Sequence, residues 1–499
     1  MAHDSYSKLN KTMLGLVEKF KARLVAQGFS QREGTDYFLD AIYAPVARYA
    51  TLRCVLAVAA AYDLELAQLD VKTAFLNGIL PEEITIFMRP PKGYDCKTGT
   101  VFKLLKSIYG LKQSPYVWNN DINAFLLEQQ FIRSETDPCL YTRIRNSEYT
   151  ILCLYVDDLT IACNNTKILE ELKWQLSKRY QMDDRGELEW ILGMRVHRDR
   201  SQHTIYLNQE QYIKDMLIRF KMNDPNKEPP MATPADPNVI LSKSMCPQSP
   251  KEKAYMKDKP FSNLVGSLLY AAISTRPDIA NAVRAVSRYM ANPGPQHWKA
   301  ARRILRYLKG TLKLGIKFCG RVNGIDIYLY SDASFAMCVD TRRSVTAFTV
   351  YWNNGIVNWE SRTQPSTARS TTEAEYMAMA EATSESIWIA KVAQDLGIPI
   401  HGPITLFEDN SGAIALANTR KHMRRTKHID VRYHFVREKR ESGFIDFIFC
   451  ETKHMIADLL TKNLPRPAFE RIRKFLLGQA YHPAYDQSFR NKDSAYFLD

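Results

Sequence analysis

Leu154-Tyr-Val-Asp-Asp-Leu159 sets two adjacent carboxylates, Asp157 and Asp158, at the tip of an apolar segment that runs from Ile151 to Cys163. Ile151, Leu152, Leu154 and Val156 lead into the pair and Leu159, Ile161 and Ala162 lead out of it. The segment therefore reads as a half-buried hairpin with the carboxylates at its turn. Two carboxylates at close range repel each other unless a divalent cation sits between them, and hard oxygen ligands of this kind suit Mg2+. Asp-Asp also occurs in ordinary solvated turns, and the pair taken alone reads more readily that way. A second segment shifts the balance. Gln68-Leu-Asp-Val-Lys-Thr-Ala-Phe-Leu-Asn-Gly78 carries Asp70 behind an apolar run and ahead of a short amphipathic turn, which predicts a strand-end carboxylate. Beside the hairpin, Asp70 would complete a set able to hold two metal ions, one activating a primer hydroxyl and the other clamping an incoming triphosphate. A helix N-cap or turn residue is the alternative reading of Asp70.

The second half alternates strands and helices. Period-two alternation from Ile325 predicts a strand ending at Asp332. Thr346 to Val350 and Ile356 to Trp359 flank Asn353-Asn354-Gly355, a strong hairpin-turn signal. Ser370 opens a helix that runs to about Gly397. On spacing alone Glu373 reads as a capping-box partner of Ser370. Asp409, after the strand Ile404 to Phe407 and before a helix, reads as an N-cap. Asp458, inside a helical Ala-Asp-Leu-Leu-Thr-Lys, reads as an exposed acid.

Between the halves, Asn223 to Pro260 is rich in Pro and Lys without periodicity and reads as a linker. Helices are predicted after it over Asn263 to Ser274, Ile279 to Met290 and His297 to Thr311. The last puts Trp298, Ala301, Ile304, Leu305 and Leu308 on one face and Lys299, Arg302, Arg303, Arg306 and Lys309 on others. That basic surface either tracks a phosphate backbone or is simply solvated. His422, His428 and His434 recur every six residues, which fits no metal-ligand spacing. They read as surface or nucleic-acid-contacting residues.

A chain of 499 residues with a net charge of +14 is long enough for two or three cores and is biased towards polyanionic partners. Nine scattered cysteines without a paired CxxC spacing argue for reduced thiols and against a disulfide framework or zinc site. With no signal-peptide pattern and no apolar run long enough for a membrane span, the expectation is an intracellular, soluble protein that needs no membrane.

Five blocks stand in order: Lys21-Ala-Arg-Leu-Val-Ala-Gln-Gly-Phe29, Ala44-Pro-Val-Ala-Arg48, Leu69 to Gly78, Tyr109-Gly-Leu-Lys-Gln-Ser-Pro115 and Tyr155-Val-Asp-Asp158. Together they resemble the reverse transcriptases of copia-like retrotransposons. Ser370-Thr-Thr-Glu-Ala-Glu-Tyr376, Asp340 to Ser344, Arg425 to Asp430 and Ala457-Asp-Leu-Leu-Thr-Lys462 resemble the ribonuclease H part of the same elements. The resemblance implies an α/β and α+β multidomain fold: polymerase fingers and palm over 15–222, a linker and helical thumb or connection over 223–322, a ribonuclease H-like mixed α/β domain over 323–465, and a tail over 466–499. It implies metal-binding, catalytic roles for Asp70, Asp157 and Asp158 in one site and for Asp332, Glu373, Asp409 and Asp458 in the other, each with two Mg2+ or Mn2+ ions. Lys21 and Arg23 match positions that hold the triphosphate, and Phe75 matches an aromatic gate that selects deoxynucleotides, although core packing also suits it. Tyr109, Gly110, Lys112 and Gln113 fall in a substrate-binding block, and Trp190 to Met194 resembles a primer grip.

The implied activity is RNA-directed DNA polymerase with ribonuclease H, acting on an RNA template, a DNA primer, deoxynucleoside triphosphates and an RNA-DNA hybrid. The implied location is a cytoplasmic particle or the nucleus. Met1 to Phe20 departs from the strands that precede the first block in such polymerases, so a truncated front is expected. With it stand two alternatives, a non-catalytic nucleic-acid-binding relic and a ribonuclease alone.

Overall fold

The computed structural model describes residues 3–11, 17–81, 83–91, 93–224, 226–320, 325–419 and 430–481. The chain divides into two compact units, residues 1–48 with 65–188 and residues 49–64 with 189–499. The helix Tyr49–Ala61 and everything from Glu189 onward belong to the second unit, whereas the expected division placed residues 49–61 and 189–222 in the first domain.

The first unit is built on a six-stranded antiparallel sheet in the order Met182–Glu187, Glu65–Val71, Asp158–Cys163, Glu148–Tyr155, Leu140–Arg145, Ile132–Arg133. Alternation along the strands sends Ala67, Leu69 and Val71 to one face, where they meet Trp118, Ile122 and Leu126 of the helix Ser114–Glu128 and Leu169, Leu172 and Leu176 of the helix Thr166–Arg179. Asn165 caps the second helix by accepting the Lys167 N–H at 3.0 Å. Gln68 and Asp70 therefore lie on the opposite, helix-free face. The hairpin predicted as half-buried is sunk deeper than that: Ile151, Leu152, Leu159, Ile161 and Ala162 have no exposed surface. At the front, His3–Lys11 pairs antiparallel with Val17–Ala26, so a strand does precede the Lys21 block.

The second unit carries two sheets. A four-stranded antiparallel sheet runs Trp190–Ile191, Met194–Asp199, Thr204–Asn208, Gly315–Cys319. A five-stranded sheet runs Gly355–Thr363, Val345–Trp352, Ile327–Ser334, Ile404–Glu408, Ile445–Phe449, antiparallel between its first three strands and parallel thereafter. The helix Thr371–Asp395 packs on its central strands.

Two buried arginines tie this unit together. Arg53 donates to the carbonyls of Val357 at 2.7 Å and of Ile273 and Ser274 at 2.9 and 3.0 Å, and lies over the Trp359 ring. Arg276 forks onto Asp278 at 2.9 and 2.8 Å, and that pair, two residues apart in the stretch Thr275-Arg-Pro-Asp278, is wholly buried. The region expected as a tail begins with a helix, Arg466–Leu476, whose Phe469, Ile472 and Leu476 are buried. A tail can therefore start only after it. All nine cysteines are free thiols. Among the described residues no helix is long and apolar enough to cross a membrane.

Candidate active sites

The first site lies at the end of the six-stranded sheet. Antiparallel register makes Asp70 the cross-strand neighbour of Asp158, and Tyr155 pairs with Asp158 across the hairpin, so Val156 and Asp157 form the turn. Val156 adopts φ +60°, a left-handed conformation that a β-branched residue avoids. It is held there by tertiary bonds on both sides: the Trp118 indole donates to the Val156 carbonyl at 2.7 Å, and the Val71 N–H to the Asp157 carbonyl at 2.8 Å. Burial, then the charges of Asp157 and Asp70, push the Asp158 carboxyl up to about 6. Arg185 opposes that shift and pairs with Asp70 at 2.9 Å. Arg185 sits in the neighbouring strand and carries no motif, so the sequence reading passed over it.

Near the first site, the Arg23 guanidinium lies 4.9 Å from the Tyr109 ring centroid and its Nε is buried with no hydrogen-bond partner. Phe75 meets Tyr109 edge to face at 5.1 Å. Gly110, at φ +91°, has the Ala26 carbonyl 2.0 Å from where a Cβ would sit, so no other residue fits there. Lys112 donates to the Tyr37 hydroxyl at 2.8 Å. Gln113 is buried, accepts from Gln31 at 2.9 Å and donates to the Asp36 carbonyl at 3.0 Å. Those bonds use its amide to latch the loop of Gln31 and Asp36 to the start of the helix Ser114–Glu128. The Lys21 side chain lies outside the described residues, as do His422 and His428. His434 is exposed in the helix Asp430–Glu441.

The second site gathers around Asp332, which is fully buried in the central strand of the five-stranded sheet. Parallel pairing of Tyr330 with Phe407 brings Asp409 level with it two residues on. Asp332, Asp409 and Asp458 each offer an oxygen within 4.8 Å of the others, and Glu375, Glu408 and Asp409 do the same.

Glu373, the helix carboxylate expected from the resemblance, lies outside both of these carboxylate groups. It accepts the Arg369 N–H at 3.1 Å while Ser370, the N-cap, accepts the Glu373 N–H at 3.2 Å. Two residues further is about 200° around an α-helix, and Glu375 turns inward to accept the Ala333 N–H at 2.5 Å.

Glu408, also missed, is buried and accepts a hydrogen bond from Ser331 at 2.6 Å. A carboxylate in an otherwise apolar strand, Ile404–Glu408, was the signal that could have found it. Burial and then Asp332 raise Asp458 to about 7 and Glu375 to about 11, and Glu408 and Asp409 are raised too. Lys462 pairs with Asp458 and lies 3.2 Å from Asp332, while the Thr461 hydroxyl donates to Asp332.

The basic helix Pro295–Lys309 buries Trp298, Ala301, Ile304, Leu305 and Leu308 as its pattern predicts. Most of its cations are already engaged. Arg302 pairs with Glu228, Arg303 with Asp236 at 3.3 Å, and Arg306 and Lys309 donate to backbone carbonyls of the preceding segment. Among the described residues Lys299 is the one cation of this helix without an ion pair or a backbone acceptor.

Residues 6–236 match the family model described as Reverse transcriptase (RNA-dependent DNA polymerase). The chain is 42% identical over 463 residues to the Retrovirus-related Pol polyprotein from transposon TNT 1-94 of Nicotiana tabacum, a match covering 92% of this chain and 34% of that one. It thus spans about a third of that polyprotein. It is 31% identical over 321 residues to the Putative transposon Ty5-1 protein YCL074W of Saccharomyces cerevisiae, covering 64% of this chain and 100% of that one. A solved prototype foamy virus protease-reverse transcriptase aligns over 93% of this chain and 52% of its own at 12% identity, but a TM-score of 0.22 is too low to bear on the fold. Full coverage of the yeast protein at that identity, on top of blocks that fold into two carboxylate sites, makes this chain a member of the copia-like retrotransposon reverse transcriptase family.

Proposed function

We propose that the first unit is an RNA-directed DNA polymerase and the second a ribonuclease H, each working by two-metal phosphoryl chemistry. The observation that carries the reading is the pairing of Asp70 with Asp158 at the hairpin tip, which brings three carboxylates to one end of a rigid sheet. The donor set fits Mg2+ or Mn2+: it is all carboxylate, and burial first and the neighbouring carboxylates second push Asp158 up to about 6 and Asp458 up to about 7, a cost that a bound cation would relieve. Bound there, two such ions would activate the nucleophile and neutralise charge on the transferring phosphate.

Around them Arg23 meets the triphosphate, and Phe75, braced on Tyr109, faces the sugar of a deoxynucleotide and excludes a 2'-hydroxyl. In the second unit Asp332, Glu375, Asp409 and Asp458 hold the ions, Glu408 supports Asp409, and the scissile strand is the RNA of an RNA-DNA hybrid. The partners are an RNA template, a DNA primer and deoxynucleoside triphosphates, met inside the cell in a particle or the nucleus.

A ribonuclease alone is favoured by one observation. Among the described residues, carboxylate oxygens close enough to share one ion occur in the second site, whereas Asp70 in the first is held by Arg185. Mg2+-dependent primer extension on an RNA template, with hybrid cleavage in parallel, separates the readings. Extension lost in Asp157→Asn/Asp158→Asn and cleavage lost in Asp409→Asn support both activities. Cleavage without extension leaves the nuclease, and silence in both from folded protein refutes the proposal.

A further inference from the structure

The second unit also holds a cavity of about 180 Å³ lined by the helices Ala280–Ser287 and Pro295–Lys309, by the 234–241 segment, and by Met337, Cys338 and Val345. None of the carboxylates of the second site lines it. Five cations do: Arg284, Arg288, Lys299, Arg303 and Arg306, against a single lining carboxylate, Asp236.

Pairing leaves a surplus. Asp236 answers Arg303 at 3.3 Å, and Asp340 answers Arg288 at 3.2 Å. Lys299 and Arg306 have no carboxylate partner among the described residues. Arg284 has none either: it donates to Asn281 at 2.7 Å and Thr363 at 3.4 Å, both neutral acceptors. The Nε atoms of both Arg284 and Arg303 are buried without any acceptor. Burial and the neighbouring Arg288 lower Arg284 to about 10, the response of a desolvated cation that lacks a counter-charge.

Buried Nε donors left unfilled on partly exposed arginines are costly unless an anion completes them, and the planar guanidinium fork matches a phosphate better than a carbonyl. Opposite the charges, Val286, Ile304 and Val345 give an apolar wall of the kind a sugar or base would cover. We propose that this cavity binds the phosphate of a nucleotide, either free in solution or within a strand, with Arg284 and Arg303 as its buried donors. This goes beyond the catalytic reading: no carboxylate of either site lines the cavity, which meets the second site at Thr461, the donor to Asp332.

Cys338 supplies an internal reporter. Its thiol lines the cavity and accepts hydrogen bonds from Arg288 at 2.7 Å and Thr341 at 3.0 Å. In the full chain, iodoacetamide alkylation of Cys338 is followed by peptide mass with inorganic phosphate, deoxyadenosine monophosphate or a short single-stranded oligonucleotide, using exposed Cys96 as the control. Saturable slowing at Cys338 and not at Cys96 is expected. Protection by the monophosphate assigns the site to free nucleotides, and protection by the oligonucleotide alone assigns it to a strand.

Removing one charged donor in Arg284→Gln raises the half-protecting concentration about tenfold. Lys299→Gln, at an exposed position that the fold does not depend on, raises it by a smaller factor and keeps the test decisive if the first variant misfolds. An alkylation rate indifferent to all three probes, or protection unchanged in the folded variants, overturns the proposal.

Discussion

Replacing Lys462 by methionine isolates what its charge does in the second site. The ammonium is the one cation paired with both Asp332 and Asp458, whose side chains are 0% and 7% exposed. Those two carboxylates lift Lys462 above its usual value against the cost of burial, and Lys462 opposes the upward shift of Asp458. Removing one member of a fully buried pair costs about 3–5 kcal/mol. Lys462 itself keeps 32% of its side-chain surface, so solvent screening reduces the expected loss to about 1–3 kcal/mol.

At about 1–2 °C per kcal/mol for a unit of more than about 300 residues, the second unit should melt roughly 1–6 °C lower in EDTA. Methionine preserves the aliphatic volume, so packing contributes little to the change. In saturating Mg2+ the deficit should largely close, because a divalent ion then supplies the missing positive charge, and Mn2+ titrated calorimetrically should bind more tightly than to the unmodified chain. A melt unaltered in EDTA would refute the reasoning, as would an equal loss with and without Mg2+.

The capping and inward carboxylates of the long helix separate cleanly by mutation. Glu373→Ala should cost about 0.5–1 kcal/mol of stability while leaving hybrid cleavage within a few-fold, whereas Glu375→Gln should abolish cleavage in a protein that still folds. In the first unit the Asp158 carboxyl is raised in the folded state, so its stabilising contribution without metal is full below about pH 4 and lost as pH rises through about 6. Thermal melts in EDTA should therefore fall across that window, and Asp158→Asn should flatten the decline. Extension should show the opposite trend, slowing as pH drops below about 6 where the carboxyl gains its proton. Phe75→Ala should raise ribonucleotide incorporation relative to deoxynucleotide by about tenfold or more, read from competing triphosphates in one extension assay.

By itself the sequence determined the secondary structure around both sites. The hairpin with Asp157 at its turn, the strand through Asp332, the Asn353-Asn354-Gly355 turn and the helix from Ser370 all follow from local periodicity and turn chemistry, and each forms close to its predicted span. The capping signal at Ser370 was also local: Ser370 caps the helix and Glu373 accepts the neighbouring Arg369 N–H, while the resemblance pointed Glu373 towards metal. Only the tertiary structure decided that Glu375 is the carboxylate facing the sheet, that Glu408 joins it, that Lys462 answers Asp332 and that Gln113 is spent on a latch. Such outcomes depend on which face of a helix meets which strand and on how many like charges converge there, and these are properties of residues far apart in the chain. A buried surplus of arginine charge, as around Arg284, has no signature in sequence because every one of those residues reads as an ordinary solvated cation until the chain folds around it.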